Sequence, residues 1–269
     1  MDFTRKKLPL EQASEMRVCP IDSVQPYAPL PAPLYVLMTS NEKFLAVKAP
    51  LDFLSPAELE RLRSFENFYY PPFIREVLPY RTIARSLLGL LFGASQGHGL
   101  RPAPFETSDA FLRLTARIWS PEATIEPFFV SAFVTELCGP LPAESAIQAR
   151  EASQEGYEQA VLKAAWAVWQ ALHLDFLDGV WIRGLRDCVF EAAATGGRAS
   201  YRGADPSWLQ SVLDQRIPQR GMHLSELSGG VVRRKLESRS LRLLDQLVSE
   251  NQEAPSVIGE NGLMEDLAA

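Results

Sequence analysis

The chain has 269 residues, 46% apolar and 22% charged, the balance of a globular protein with one large or two ordinary domains. Its formal net charge of −6 argues against a general nucleic-acid binder, so no nucleic-acid partner is expected. Much of that charge lies in the last twenty residues, ENQEAPSVIGENGLMEDLAA, which carry five acidic side chains and no basic one.

Cysteine usage points to a reducing compartment. The three cysteines, Cys19, Cys138 and Cys188, form no CxxC pair, and their odd number fits no complete disulfide framework. The basic residues 5–7 are not followed by an apolar segment, so no signal peptide is predicted. The longest lipophilic run, IARSLLGLLFGA, is too short to span a bilayer. We therefore expect a cytoplasmic protein without a membrane span.

The first 33 residues are polar and then rich in proline, as in CPIDSVQPYAPLPAP. Proline lacks a backbone N–H and has a fixed φ, so residues 1–33 are predicted to form an extended arm on the surface. Part of this arm, around Val18 to Val24, is expected to pair as an edge strand.

Residues 34–79 are predicted to form a small ββαβ unit. LYVLM and FLAVK have strand composition, and the polar SNEK supplies a turn between them. Ser55, Pro56 and Glu58 then supply an N-cap, a proline at the first helical position and a capping-box acid. NFYY is a short aromatic strand stopped by two prolines. Such a unit is too small to be stable alone, so it must pack on another domain.

Residues 80–250 are predicted to form an α-helical bundle domain. FFVSAFVTELC has helical composition and should end at Gly139-Pro140. Residues 143–178 form one long helix, or two with a kink near Gly156. The second half, YEQAVLKAAWAVWQALHLDFL, is apolar almost all round, which is typical of a helix at the centre of a bundle.

Two more helices follow, over 181–195 and from the Asp205-Pro206 cap through Leu213, and residues 251–269 are expected to be a disordered acidic tail. The predicted fold is thus α+β, with a small ββαβ N-terminal unit packed on a larger α-helical bundle domain.

Motifs for catalysis are sparse in this sequence. The three histidines, His98, His173 and His223, lie in no HExxH motif and no adjacent His-Asp dyad, so no metal site is predicted. The glycine-rich GASQGHG lacks the GK[ST] ending of a phosphate-binding loop. No catalytic residue and no cofactor are predicted.

The strongest charge feature is the basic stretch from Arg216 to Arg242, whose seven basic and two acidic residues give a balance of +5. The planar guanidinium group suits phosphates and carboxylates. Arg233, Arg234, Arg239 and Arg242 are therefore candidates to bind a cyclic dinucleotide, an acidic partner or the acidic tail of the same chain. The alternative is a solvated helix face.

Two further features have a structural and a functional interpretation. Trp166, Trp169 and His173 lie together in the apolar helix, where they form either part of the core or a ligand pocket. The tail ends in GLMEDLAA, an apolar and acidic cluster that is either a docking motif for a protein partner or a frayed terminus.

The order of elements over residues 34–70 resembles the small N-terminal accessory domain that precedes HD-GYP domains in some bacterial cyclic-di-GMP signalling proteins. A hairpin of LYVL and KFLAV leads into a capped helix and then the short strand FYY. The helical remainder would then take the place of the HD-GYP domain, but it carries neither the His-Asp dyad nor the Gly-Tyr-Pro signature. The resemblance implies a degenerate signalling module without phosphodiesterase activity, in a sensing or scaffolding role.

The sequence therefore predicts a non-enzymatic bacterial regulatory or adaptor protein that acts through protein–protein interaction and responds to a cyclic dinucleotide. Its working surfaces would be the Arg233–Arg242 segment and the acidic tail. The competing prediction is an enzyme with a site assembled from distant residues of the helical domain, around Trp166, Trp169 and His173.

Overall fold

The computed structural model of the chain describes residues 16–39, 43–71, 124–125, 127–173, 176, 178–218 and 222–223. Its strands and helices are, in chain order, β1 (Arg17–Pro20), β2 (Leu34–Met38), β3 (Lys43–Lys48), α1 (Pro56–Leu62), β4 (Asn67–Tyr70), β5 (Thr124–Ile125), α2 (Pro127–Cys138), α3 (Ala143–Ala152), α4 (Gln154–His173), α5 (Gly179–Thr195), α6 (Pro206–Asp214) and β6 (Met222–His223). The α+β prediction is confirmed, because a small antiparallel sheet precedes a body of helices.

The N-terminal sheet has four strands in the order β1-β4-β2-β3. The predicted hairpin is present, with Val36 of β2 opposite Leu45 of β3. Strand β4 pairs antiparallel with both β2 and β1, which leaves β1 at one edge. Since side chains alternate along each strand, one face of the sheet collects a set of apolar residues that α1 covers. This cluster includes Leu34, Val36, Phe68, Leu59 and Leu62.

Helix α1 begins at the predicted capping box. The Ser55 hydroxyl accepts a hydrogen bond from the Glu58 N–H at 3.2 Å, and the Glu58 carboxylate accepts one from the Ser55 N–H at 2.7 Å. Pro56 occupies the first helical position, where a missing N–H costs nothing. This reciprocal cap fixes the direction in which the chain enters α1.

The proline-rich segment before β2 is built into the fold. Ile21 and Leu30 are buried in the same cluster as α1, and Ala32 packs against Ala132 of α2. The Tyr27 carbonyl accepts a hydrogen bond from the Leu141 N–H at 3.0 Å. The expected edge strand is β1. Most of residues 17–32 are exposed or half-buried, with Val18 60% exposed, but Ile21, Leu30 and Ala32 are buried.

Helix α4 is central to the helical body, as its all-round apolar composition predicts. Every residue from 164 to 172 is buried, and α4 packs against α2, α3, α5 and α6. Of the two alternatives predicted for residues 143–178, one long helix or two with a kink near Gly156, the structure has two helices, and the break lies at Ser153, three residues before Gly156. Ser153 is extended, with φ −165° and ψ 123°, and its hydroxyl accepts a hydrogen bond from the Gly156 N–H at 3.1 Å. A serine that caps α4 thus ends α3.

The other helix ends also follow the sequence signals. Helix α2 stops before Gly139, whose φ of +78° is readily reached by glycine. The Asp205 side chain accepts a hydrogen bond from the Ser207 N–H at 2.7 Å and so caps α6. The parts of the predicted helical domain at 80–123 and after residue 223, and the boundaries at 79/80 and 250/251, lie outside the described residues and stay predictions. Within the described part, no helix has the length and apolar character needed to cross a membrane.

Candidate functional site

The two tryptophans of the candidate pocket lie inside the helical body. Trp166 is 1% exposed and Trp169 is 2% exposed. The Trp169 ring packs edge-on against Phe133 of α2, with ring centroids 5.3 Å apart. The structure thus places both side chains in the core, which is one of the two interpretations that the sequence allows. His173 is the last residue of α4, and its side chain lies outside the described part.

A polar stripe runs along α4 at helical spacing, from Gln159 through Lys163 to Gln170. Gln170 and Lys163 of this stripe hold the two ends of α6. Gln170 Oε1 accepts a hydrogen bond from Trp208 Nε1 at 2.7 Å, and Lys163 Nζ donates to the Leu213 carbonyl. Because Trp208 lies near the start of α6 and Leu213 near its end, α6 runs antiparallel along this stripe. Burial lowers the pKa of Lys163.

Gln159 holds the chain just beyond α6. Its Nε2 donates to the Ile217 carbonyl at 2.8 Å, and its Oε1 accepts from the Ile217 N–H at 3.1 Å. One carboxamide therefore satisfies both backbone groups, much as a neighbouring strand would. The adjacent Arg216, the first residue of the predicted basic stretch, forms an exposed ion pair of 2.6 Å with Glu155.

Two buried donors on the same stripe have no acceptor among the described residues: Trp166 Nε1 and Gln170 Nε2. Gln170 is 0% exposed, and its oxygen is engaged by Trp208 while its nitrogen is not. A buried donor without an acceptor is unfavourable because it has lost its hydrogen bonds to water. A hydrogen-bond acceptor placed next to either of these two N–H groups would therefore be favourable.

Three aromatic rings lie nearly parallel to one another, and one of them, Trp208, is hydrogen-bonded to Gln170. The ring of Phe176, in the connection between α4 and α5, is stacked on Trp181, with centroids 4.4 Å apart and planes 10° apart. The same ring is parallel to Trp208 within 2°, with centroids 6.5 Å apart. Tyr201 packs edge-on against Trp181, with centroids 5.3 Å apart. We call Phe176, Trp181 and Trp208 the aromatic stack.

The rings of the aromatic stack are held in different ways. Trp181 Nε1 donates to the Arg202 carbonyl at 2.6 Å, and Trp208 Nε1 donates to Gln170. The phenyl ring of Phe176 has no polar atom, so only packing holds it, although its backbone N–H donates to the Ala171 carbonyl at 3.1 Å. The two indoles are therefore anchored and the phenyl ring is not.

A second polar group lies where the ββαβ unit meets the helical body. Lys48 Nζ lies 3.2 Å from Asp52 Oδ2 and 2.7 Å from Glu58 Oε1. Arg150 Nη1 of α3 lies 3.1 Å from Asp52 Oδ1, and its Nη2 lies 3.6 Å from Glu58 Oε2. These four residues, the junction cluster, alternate two cations with two carboxylates. The cluster is electrically neutral and joins the two parts of the fold.

The carboxyl of Glu58 is held as a carboxylate in the junction cluster. Burial alone would raise its pKa, but hydrogen bonds from Lys48 and from the Ser55 N–H outweigh burial and lower the pKa to about 2. A carboxylate with so low a pKa is a poor general base near neutral pH. The junction cluster is therefore best explained as a structural contact.

A third polar group secures the end of α2. Arg186 of α5 is buried and donates to the carbonyls of Gly139 at 2.6 Å and Pro140 at 2.8 Å, and it pairs with Asp187. Burial raises the pKa of Asp187, although Arg186 beside it acts in the opposite direction. Burial also raises the pKa of the nearby Cys138 thiol to about 11, so this thiol is protonated near neutral pH and is a poor nucleophile.

These groups favour binding over acid–base chemistry. Carboxamides, indoles and phenyl rings exchange no proton near neutral pH, but they can bind a planar molecule by stacking and hydrogen bonding. Among the described residues, no group of three or more histidines, cysteines and carboxylates is placed to hold a metal ion.

The sequence did not predict the residues that come together here. Arg150 is 98 positions from Asp52, and no local pattern joins them. Gln170 had a weak signal, because it is the one amide in the apolar run AAWAVWQALH. Arg233, Arg234, Arg239 and Arg242, and the acidic tail, lie outside the described residues, so their roles stay predictions.

Comparisons with protein-family models, with curated proteins and with solved structures give no match to this chain. The resemblance of residues 34–70 to the accessory domain of HD-GYP proteins therefore stays a prediction.

Proposed function

We propose that this chain is a non-catalytic bacterial regulatory or adaptor protein that acts by binding other proteins. The acidic tail, residues 251–269, would be the docking element. Arg233, Arg234, Arg239 and Arg242 would bind a cyclic dinucleotide that regulates the interaction. A cytoplasmic location is part of the same proposal, and it rests on the three cysteines, all of which are free.

One observation carries the non-catalytic part of the proposal. Trp166 and Trp169, around which the sequence allows an enzyme pocket, are core residues at 1% and 2% exposure. The ionisable side chains next to the core have structural partners as well: Arg186 holds the end of α2, and Arg150 holds the ββαβ unit. Because these charged side chains stabilise the fold instead of lining a catalytic site, they support a protein that binds partners at its surface.

The tail is tested by quantitative capture of partners from a bacterial lysate. The full chain is compared with a chain ending at residue 249, and with a full chain carrying Leu263→Ser and Met264→Ser. We expect specific partners to be lost with the truncation and with the double substitution, since a docking motif needs apolar anchors as well as charge. Equal capture by all three chains would contradict a role for the tail.

The arginines are tested by calorimetric titration with cyclic di-GMP. The Arg233→Ala/Arg234→Ala/Arg239→Ala variant should bind at least about tenfold more weakly, because phosphates lose charge-assisted hydrogen bonds. The matched control is Arg17→Ala/Arg61→Ala/Arg198→Ala, which removes the same charge from exposed arginines elsewhere. If the unmodified chain does not bind cyclic di-GMP, or if the control variant loses as much affinity as the triple variant, the proposal that these arginines bind a cyclic dinucleotide is wrong. Hydrolysis of cyclic di-GMP would overturn the non-catalytic assignment.

A further inference from the structure

The loop between β3 and α1 is fixed to the helical body through two of its backbone carbonyls. The Leu51 carbonyl accepts a hydrogen bond from the Tyr157 hydroxyl at 3.1 Å. The Phe53 carbonyl accepts one from Arg150 Nη1 at 3.1 Å. Because the two donors come from α4 and α3, this side of the loop is held by the helices.

The carbonyls between and after these two bind the proline-rich segment instead. The Asp52 carbonyl accepts a hydrogen bond from the Leu30 N–H at 2.8 Å, and the Leu54 carbonyl accepts one from the Tyr27 N–H at 3.0 Å. We call residues 25–30 the strap. The strap and the helical body therefore hold alternate carbonyls of the same loop.

The contact between the strap and the loop contains strained backbone on both sides. Tyr27 has φ 60° and Leu51 has φ 65°, in the left-handed region that residues with a Cβ rarely adopt. The Leu51 N–H donates to the Leu30 carbonyl at 2.9 Å, and the Tyr27 carbonyl accepts from the Leu141 N–H at 3.0 Å. Both strained residues thus form the hydrogen bonds that keep the strap closed.

The strap has few backbone donors of its own. Pro26 and Pro29 have no N–H, and the Ala28 N–H donates to the Gln25 carbonyl inside the strap, at 3.4 Å. Pro29 and Leu30 are buried, whereas the other four residues are exposed or half-buried. A segment with few hydrogen bonds and little buried area opens at a lower free energy than the core of the fold does.

We propose that the strap opens and closes as one unit while the sheet and the helical body stay folded. Opening breaks the backbone hydrogen bonds between the strap and the rest of the fold, and it lets Tyr27 and Leu51 leave the left-handed region, so the strain makes opening easier. The loop stays in place because Tyr157 and Arg150 still hold its other side. The inference goes beyond the function proposed above, because it depends on neither the acidic tail nor the arginine segment.

The test is amide hydrogen exchange of the full chain, followed residue by residue by NMR. Opening frees the amides of Tyr27, Leu30, Leu51 and Leu141, which lie in three separate parts of the sequence. We expect these amides to share one protection factor within about fivefold, and to be protected at least about tenfold less than the buried amides of α4. Low concentrations of urea should leave the shared value nearly unchanged, because the opening exposes little surface.

Two substitutions at the same position measure the strain. Tyr27→Ala and Tyr27→Gly both remove the ring, but only glycine reaches a positive φ readily. The shared protection factor should be at least about threefold higher in Tyr27→Gly than in Tyr27→Ala. Ala28→Gly is the matched control, because the next residue has no positive φ and glycine there should lower the protection factor.

Three results would overturn the proposal. A spread of more than about fivefold among the four amides would show that the strap does not move as one unit. Protection within about tenfold of the α4 amides would show that the strap opens only with the whole fold. Equal or higher protection in Tyr27→Ala than in Tyr27→Gly would show that the backbone at Tyr27 does not favour opening. The exchange of the unmodified chain tests the opening even if a variant does not fold.

Discussion

The guanidinium group of Arg150 lies over the ring of Phe53, with its Cζ 3.9 Å from the ring centroid, and its Nη1 donates to the Phe53 carbonyl at 3.1 Å. One side chain of α3 thus holds both the ring and the backbone of Phe53, in the loop between β3 and α1. Phe53 in turn packs edge-on against Tyr157 of α4, with centroids 5.6 Å apart. The sheet is joined to the central helix through this chain of contacts.

Replacing Arg150 should therefore weaken the whole fold. Arg150→Met keeps the apolar stem but takes one charged donor from Asp52 and leaves the Phe53 carbonyl without its Arg150 donor, and we expect the free energy of unfolding to fall by roughly 2 kcal/mol. We expect Arg150→Lys to lower the free energy of unfolding by nearly as much, because an ammonium group lacks the planar fork with which Arg150 reaches Asp52 and the Phe53 carbonyl. Urea unfolding followed by circular dichroism measures both.

The control for this substitution is an exposed ion pair. Arg63 Nε lies 3.2 Å from Glu60, and both side chains are about two-thirds exposed, at 65% and 68%. Arg63→Met should change the free energy of unfolding by less than about 0.5 kcal/mol. If both substitutions cost the same, the junction cluster does not hold the two parts together.

Acid should weaken the fold through Glu58. The pKa of its carboxyl in the folded state is about 2, below the ordinary value of 4.5. A depressed pKa stabilises the fold above the ordinary value, and the contribution disappears as the pH falls from about 4.5 to about 2. Glu58→Gln should be less stable at neutral pH and should lose less stability over that window.

Urea unfolding at several pH values between neutrality and pH 2 tests this dependence. Glu60→Gln is the control, because Glu60 is an exposed carboxyl on the same helix. Its stability profile should match that of the unmodified chain. If Glu58→Gln loses as much stability as the unmodified chain does when the pH falls from about 4.5 to about 2, another group is responsible for the sensitivity to acid.

Much of the fold could be predicted because its signals are local. Each of these signals lies within one short segment of the sequence: the capping box of Ser55 and Glu58, the glycine that follows α2, and the apolar residues on all sides of α4. Of the two alternatives for residues 143–178, two helices with a break near Gly156 is the one observed. The Ser153 hydroxyl caps α4 by accepting a hydrogen bond from the Gly156 N–H, and this fixes the break at Ser153.

The candidate site could not be predicted, because it depends on contacts between distant residues. Gln170 and Trp208 are 38 positions apart, and Arg150 and Asp52 are 98 apart. Periodicity shows which face of a helix is buried, but not which residue of another helix meets it. The proline pattern predicts an extended arm, but it could not show that Leu30 and Ala32 are buried, because their burial depends on contacts with distant parts of the chain.

Arg186 should be among the most sensitive positions of the helical body. It is buried and supplies the hydrogen bonds to the Gly139 and Pro140 carbonyls after α2. Arg186→Ala would leave these carbonyls without their donors and open a cavity, so we expect a loss of roughly 3 kcal/mol or more. Thermal unfolding measures the loss. The exposed Arg198→Ala is the control, and an equal, small effect of both would contradict a role at the end of α2.

Gly184 of α5 should tolerate no side chain while Tyr201 is present. A Cβ at Gly184 would lie 2.0 Å from the Tyr201 hydroxyl oxygen and 2.9 Å from its Cζ, so the tyrosine would have to move. That movement disturbs its edge-on contact with Trp181, and we expect Gly184→Ala to cost about 1–3 kcal/mol.

A double-mutant cycle separates this clash from other effects of the new methyl group. In a Tyr201→Ala background the obstacle is gone, and Gly184→Ala should be neutral or stabilising, since alanine favours a helix more than glycine does. Gly156→Ala in α4 is the control, because its nearest side-chain neighbour is a Ser153 Cβ at 3.2 Å and no ring lies near. An equal cost of Gly184→Ala in both backgrounds, measured by urea unfolding, would show that Tyr201 is not what excludes a side chain there.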